Sequence, residues 1–152
     1  MRIHIAAVGK ARAGPARDLY DFYARRLTWP LALREVAAKK GLSAARLTGA
    51  EADLLRAALP DRATVIALDE RGRALASADF AGRLEAWRDV GNGTVAFLIG
   101  GADGLDAALR AEAHAQLSLG PMTWPHLLVR ALLAEQLYRA QQILAGHPYH
   151  RD

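Results

Sequence analysis

Apolar residues along this chain fall into two rhythms that alternate from end to end. Arg2 to Val8 is a β-prone run that stops at Gly9. Pro15 to Leu27 then places Leu19, Phe22, Tyr23 and Leu27 at helical spacing, with Arg17, Arg25 and Arg26 off that stripe. Leu31 to Val36 repeats the strand pattern, Lys39 to Ser43 is a polar connection, and Ala50 to Leu59 reads as a helix closed by Pro60. Thr64 to Leu68 has the continuous apolar character of a strand covered on both faces. Asp69 to Arg73 is the loop after it, turning at Gly72. Asp79 to Val90 is a further helix with Phe80, Leu84 and Trp87 on one stripe, and Asn92-Gly93 turns into a strand over Thr94 to Ile99. Leu105 to Ala113 is helical, Gln116 to Leu119 is a last short strand, and His126 to Leu144 is the longest helix. This alternation predicts one α/β domain over residues 1–152, its sheet mostly parallel and covered by helices on both faces.

Composition narrows the chemistry. A chain of 152 residues, 52% hydrophobic, is long enough to bury a core without cross-links. It has no cysteine, which excludes disulfide scaffolds, thiolate metal sites, iron–sulfur clusters and thiol nucleophiles. No apolar run approaches the roughly 18 residues of a membrane span. Ile3 to Val8 falls short of the roughly 7 to 15 apolar residues of a secretory signal. A cytoplasmic protein is expected. The net charge of +4 conceals a division: the first 50 residues carry ten Lys and Arg against Asp18, Asp21 and Glu35, a balance of +7, and the remainder is at −3. Such asymmetry points to a face made for phosphates. The alternative is a compositional bias, with 33 alanines and 17 arginines, in which the arginines only solvate helices.

Open α/β sheets bind ligands beyond the carboxyl ends of their strands. Three such ends are distinctive here: Leu68-Asp69, Gly100 to Gly104, and Leu119 to Pro125. Glycines there either let backbone amides approach a ligand or simply make tight turns. The GGxxG pattern is not the full dinucleotide fingerprint, and no acid follows about 20 residues on, which argues against a nicotinamide enzyme. On the last helix, Glu135, Gln136, Arg139 and Gln142 share one side, and Arg130 stands opposite them among His126, Leu127, Leu133, Ala134, Leu137 and Gln141. A guanidinium on an apolar face needs a carboxylate, phosphate or carbonyl partner, or a place at a subunit boundary. A helix apolar on nearly all sides has two sides to bury, which favours a homodimer through it. The tail from Gly146 to Asp152 gathers imidazoles, a phenol and a guanidinium: a proton acceptor, a stacking surface and a phosphate clamp. His147 and His150 have the spacing of weak metal ligands without a third, so no metal site is expected.

Taken together, Leu68-Asp69-Glu70-Arg71-Gly72, Phe97 to Leu105, Trp124 to Arg130, Glu135 to Ala140 and His147-Pro148-Tyr149-His150-Arg151 resemble the RlmH family over essentially the whole chain. That family belongs to the SPOUT methyltransferases and methylates N3 of a pseudouridine in large-subunit (23S) ribosomal RNA. The resemblance implies a sheet with a deep C-terminal trefoil knot, S-adenosyl-L-methionine bound in the knot, and an obligate homodimer. It places the cofactor against Leu68, Gly101 and the loop of Gly120, Pro121, Met122, Thr123, Trp124 and Pro125, held mainly by backbone groups. Family members often carry Asn where Gly146 stands here. The imide N3 must lose a proton before it attacks, so a base near neutral pKa is expected: His150 first and His126 second. Tyr149 would stack on a flipped base, while Arg130 and Arg151 would hold a phosphate or the developing imidate. In a dimer the tail of one subunit is expected to complete the pocket of the other, and Arg12, Arg25 and Arg26 are expected to touch RNA phosphates. The alternatives are a SPOUT enzyme acting on another RNA such as tRNA, and a noncatalytic ribosome-associated protein.

Overall fold

A strand covered on both faces is apolar at nearly every position, and Thr94–Ile99, buried throughout and apolar after Thr94, lies in the middle of the sheet. The computed structural model describes residues 1–148. Among them, β1 (Arg2–Val8), β2 (Leu31–Val36), β3 (Thr64–Ala74), β4 (Thr94–Ile99) and β5 (Ala115–Ser118) form one parallel sheet in the order β2-β1-β4-β3-β5. The helices are α1 (Pro15–Ala24), α2 (Ala44–Ala58), α3 (Ser77–Val90), α4 (Ala107–Glu112) and α5 (His126–Leu144).

Side chains alternate between two cores. Ile3, Ile5 and Ala7 of β1, with Val95, Phe97 and Ile99 of β4, pack with Tyr20 of α1, Phe80 and Leu84 of α3, and Leu133 and Leu137 of α5. Ala6 and Val8, with Ala67 and Leu98, pack on the other face with Ala52 and Leu55 of α2 and Leu109 of α4. The right-handed crossover rule explains this partition. The β1-to-β2 and β3-to-β4 connections step toward the β2 edge, while β2-to-β3 and β4-to-β5 step toward the β5 edge, so their helices must lie on opposite faces. Chains leaving β3 and β4 therefore diverge, which opens a crevice at the carboxyl ends of these neighbouring strands.

Most predicted boundaries match, and the departures have local causes. α2 starts at Ala44 rather than Ala50, because Ala, Arg and Leu between 44 and 47 are good helix formers whose polar neighbours hide the pattern. α4 is shorter than expected at its start, since the Asp106 carboxylate accepts the N–H of Ala108 and Leu109 at 2.9 and 3.1 Å and caps the helix there. α1 ends at Ala24, and Leu27 reaches the core from the following turn. β3 runs on past Leu68. Both Leu68 and Arg73 pair with Leu117, so residues 69–72 loop out of the ladder and the chain rejoins it. Gly72 is needed there for clearance, as a Cβ would lie 2.7 Å from backbone atoms of Gln116 and Leu117.

The end of α5 is closed by a backbone cap. Gly146 adopts φ +67°, its N–H donates to Ile143 O, and the His147 N–H donates to Gln142 O at 2.9 Å, the two bonds of a Schellman cap. Gly and Asn are the residues that best tolerate this left-handed position. Much of the apolar circumference of α5 is absorbed within the chain, by the sheet and by α1 and α3 on its flanks. No helix among the described residues is long and apolar enough to cross a membrane.

Candidate active site at the carboxyl edge of the sheet

The crevice predicted by the crossovers is a cleft of about 420 Å³ at the ends of β3, β4 and β5. Its apolar wall is Leu68, Ile99, Leu117 and Val129, its floor is the Gly100–Gly104 turn, and its rim is the loop following β5. Of the residues expected at a cofactor, Leu68, Gly101, Gly120, Met122, Thr123 and Trp124 line it, and Pro121 and Pro125 sit in the same loop without lining it. His126 also lines the cleft, from the first turn of α5. Arg130 does not, and Tyr149, His150 and Arg151 lie outside the described residues.

The glycine turn is folded tightly on itself. Gly101 and Gly104 form an isolated bridge, and a Cβ on Gly100 would stand 2.4 Å from the Gly104 carbonyl carbon. The tight-turn reading of these glycines is thus correct at Gly100, and the turn leaves the strand end open to the cleft. Across it, Ser118 staples the start of the second loop: its hydroxyl donates to Gly120 O at 3.0 Å and accepts the Gly120 N–H at 3.2 Å.

One polar device at the cleft escapes a reading of the sequence. Arg110 Nη1 donates to Asp69 Oδ2 at 3.0 Å, while Asp69 Oδ1 accepts the Arg71 N–H at 2.9 Å. Burial by itself would raise the Asp69 pKa, but these partners outweigh it and hold the carboxyl below its ordinary value. Asp69 and Arg110 are 41 residues apart on different elements, so no spacing rule could have joined them.

Arg130 is 2% exposed and its partner lies within the chain. Nη1 donates to Glu35 Oε1, and Nη2 donates to the carbonyls of Val8 and Gly9 at 2.6 and 2.7 Å. Of the partners the apolar face demanded, a carboxylate and two carbonyls are therefore in place. One turn earlier, the His126 imidazole is pushed below its ordinary pKa of 6.5, first by burial and then by the Arg130 charge. Both causes favour the neutral form of the ring, which is the form able to accept a proton.

The basic first third of the chain divides in space. Lys10 and Arg12 follow β1, Lys39 and Lys40 follow β2, and all four are exposed at the edge that holds the cleft. Arg25 and Arg26 end α1, which runs back toward the opposite edge, and the Arg26 guanidinium lies 4.7 Å from the centre of the Phe22 ring and 5.3 Å from that of Tyr138.

Comparison with known proteins agrees with this arrangement. The family model described as "Predicted SPOUT methyltransferase" matches residues 1–150. Proteins named ribosomal RNA large subunit methyltransferase H from Rhodospirillum centenum and Paramagnetospirillum magneticum are each 60% identical over 151 residues, covering 99% of this chain and 99% of theirs. Among solved structures, one described as a "probable methylase family protein" from Haemophilus influenzae Rd KW20 superposes with a TM-score of 0.61 at 15% identity, covering 99% of this chain and 70% of that one. TrmJ from Z. mobilis superposes with a TM-score of 0.51 at 18% identity, covering 92% and 69%. These two likenesses concern the fold. With a family model matching residues 1–150 and end-to-end relatives at this identity, the chain belongs to the SPOUT methyltransferase family, in the group of the ribosomal RNA large subunit methyltransferase H proteins.

Proposed function

We propose that the protein transfers a methyl group from S-adenosyl-L-methionine to large-subunit ribosomal RNA, at N3 of a pseudouridine. The observation that carries this reading is the convergence of three segments, at Leu68, Gly101 and Gly120 to Trp124, on one cleft at the carboxyl ends of β3, β4 and β5. The lining suits the donor. An apolar wall takes an adenine, the strand-end backbone takes a ribose without a dedicated acid, and the cleft is long enough to span both loops. When bound, the donor supplies an electrophilic methyl on a sulfonium. The chain's own part is to position the acceptor in line and to remove the N3 proton.

His150 is the proposed proton acceptor, with His126 the second candidate because its neutral ring already faces the cleft. Tyr149 would stack on the base, and Arg151 would hold a phosphate or the imidate that forms as the proton leaves. Arg130 is already engaged by Glu35 and two carbonyls, so its proposed contribution runs through the placement and charge state of His126. A second copy of the chain is the proposed cover for the apolar groove of about 630 Å³ lined by Leu19, Tyr23, Leu75, Trp124 and Leu132. In this reading the copies form a homodimer, the C-terminal part of each is knotted, and each tail reaches the partner's cleft. A ribosomal substrate implies a cytoplasmic protein.

The test is mass mapping of modified nucleosides in ribosomal and transfer RNA from a deletion strain, with calorimetry of S-adenosylmethionine on the purified chain. Loss of a methylated pseudouridine from large-subunit RNA, restored by the chain and not by a version lacking Tyr149 to Asp152, is expected. Loss of a tRNA nucleoside instead would make the protein a tRNA enzyme, and no cofactor binding would make it a noncatalytic partner of the ribosome.

A further inference from the structure

We propose that Glu35 is a positioning residue for methyl transfer, acting through Arg130 to hold the loop after β1 and the first turn of α5 in one geometry. This inference rests on the function proposed above. Glu35 Oε1 accepts the Arg130 Nη1 donor and also the Ala11 N–H at 2.9 Å. The other nitrogen of the fork takes the carbonyls of Val8 and Gly9, which lie at the end of β1 and beyond the last residue that pairs with β4. One carboxylate from the edge strand β2 therefore ties the end of β1 to α5. His126, one turn before Arg130, is held against the same loop: its Nε2 lies 3.1 Å from where a Cβ of Gly9 would be.

Stability does not account for this pair. Arg130 Nε is buried and has no acceptor among the described residues, so desolvation of the guanidinium is not fully repaid. Well-packed apolar side chains of similar volume commonly do as well or better at such a place. What an apolar pair lacks is the fork geometry that fixes two consecutive carbonyls, an amide and a helix turn relative to one another. The fixed object at the cleft is the His126 ring.

The experiment compares Glu35→Gln with the double substitution Glu35→Leu, Arg130→Met in the full-length protein. Thermal melting, kcat, the KM for S-adenosylmethionine and the imidazole C–H resonances of His126 are read in each. For Glu35→Gln, kcat is expected to fall roughly ten- to a hundredfold, the scale set by a misplacement of about 1 Å, with the cofactor KM little changed. The double variant is expected to recover the melting temperature but not kcat, and in both proteins the His126 resonances should shift from their native positions. A double variant that regains both melting temperature and kcat overturns the proposal, because the pair is then only structural. So does a Glu35→Gln protein whose loss lies in cofactor KM alone. If the native chain methylates no RNA, the function proposed above fails, and the His126 resonances decide this inference alone: native positions in both variants overturn it.

Discussion

The fold favours the neutral forms of His126 and His4. Burial is the main cause for both, reinforced at His126 by Arg130 and at His4 by Arg34, against a backbone hydrogen bond to Ala58 that favours the charged form of His4. An unfolded chain takes up these protons near pH 6.5, and the folded one takes them up only at lower pH. The unfolded state therefore binds more protons in that window, and stability rises with pH there. Chemical denaturation should give constant stability above about pH 7 and a decline as pH falls below about 6.5, with fewer than one proton taken up per ring since neither is fully buried. Replacing His126 by Gln should flatten the decline in part, and replacing His4 as well should flatten it further. Unaltered slopes would mean that both rings bind protons in the native protein as they do in the unfolded chain. If His126 serves as the base, the same neutral state keeps it competent at neutral pH.

Among the elements, the excursion of β3 is the one on which the cleft most depends. Residues 69–72 leave the ladder and return, which carries Asp69, Glu70 and Arg71 to the cleft while Arg73 and Ala74 resume pairing with β5. Gly72 makes the return possible, since any side chain would meet the backbone of β5. Gly72→Ala is expected to cost about 1 to 3 kcal/mol, the range for forcing atoms into a filled space. Cofactor affinity should fall with it, because Leu117 to Gly120 lead directly into the rim of the cleft. Denaturant unfolding and calorimetry check the two effects, and an unperturbed variant would show that β5 can move aside. The sequence marks Asp69 to Arg73 as a loop turning at Gly72, which is half of the arrangement. That the loop re-enters the same ladder depends on the backbone of β5, more than 40 residues away, and has no local signature.

For the molecule as a whole, the placement of charge matters more than its sum. Lys10, Arg12, Lys39 and Lys40 crown the edge that holds the cleft, while Arg25 and Arg26 lie toward the other edge. A nucleic acid reaching the cleft meets the first group. Neutralising Arg12, Lys39 and Lys40 should weaken ribosome binding and reduce its dependence on log salt by about 0.7 to 0.9 for each phosphate that is no longer neutralised. Neutralising Arg25 and Arg26 should leave both nearly unchanged. An unchanged slope in both sets would return these arginines to the role of solvating helices, and an equal loss from both would extend the docking surface to the end of α1. The grouping of Arg12 with Arg25 and Arg26 follows from the sequence, where all three lie within 15 residues. The return of α1 separates them.

What the amino-acid order settles unaided is whatever depends on neighbours a few residues away. The two-residue and helical periods marked ten elements, a strand with a continuous apolar run after its first residue announced a sheet covered on both faces, and the absence of cysteine closed whole branches of chemistry. Glycine and proline at two strand ends, with Leu68-Asp69 at a third, pointed to the edge that holds the cleft, and an arginine on an apolar face foretold a partner within the chain or at a subunit boundary. The choice of partner belongs to the folded chain. Glu35 and Arg130 are 95 residues apart, and Asp69 and Arg110 are 41 apart. Such pairs meet because the order of the strands and the handedness of their crossovers bring distant chain ends to one edge. Periodicity says which face a residue shows, and the fold alone says what waits on the other side.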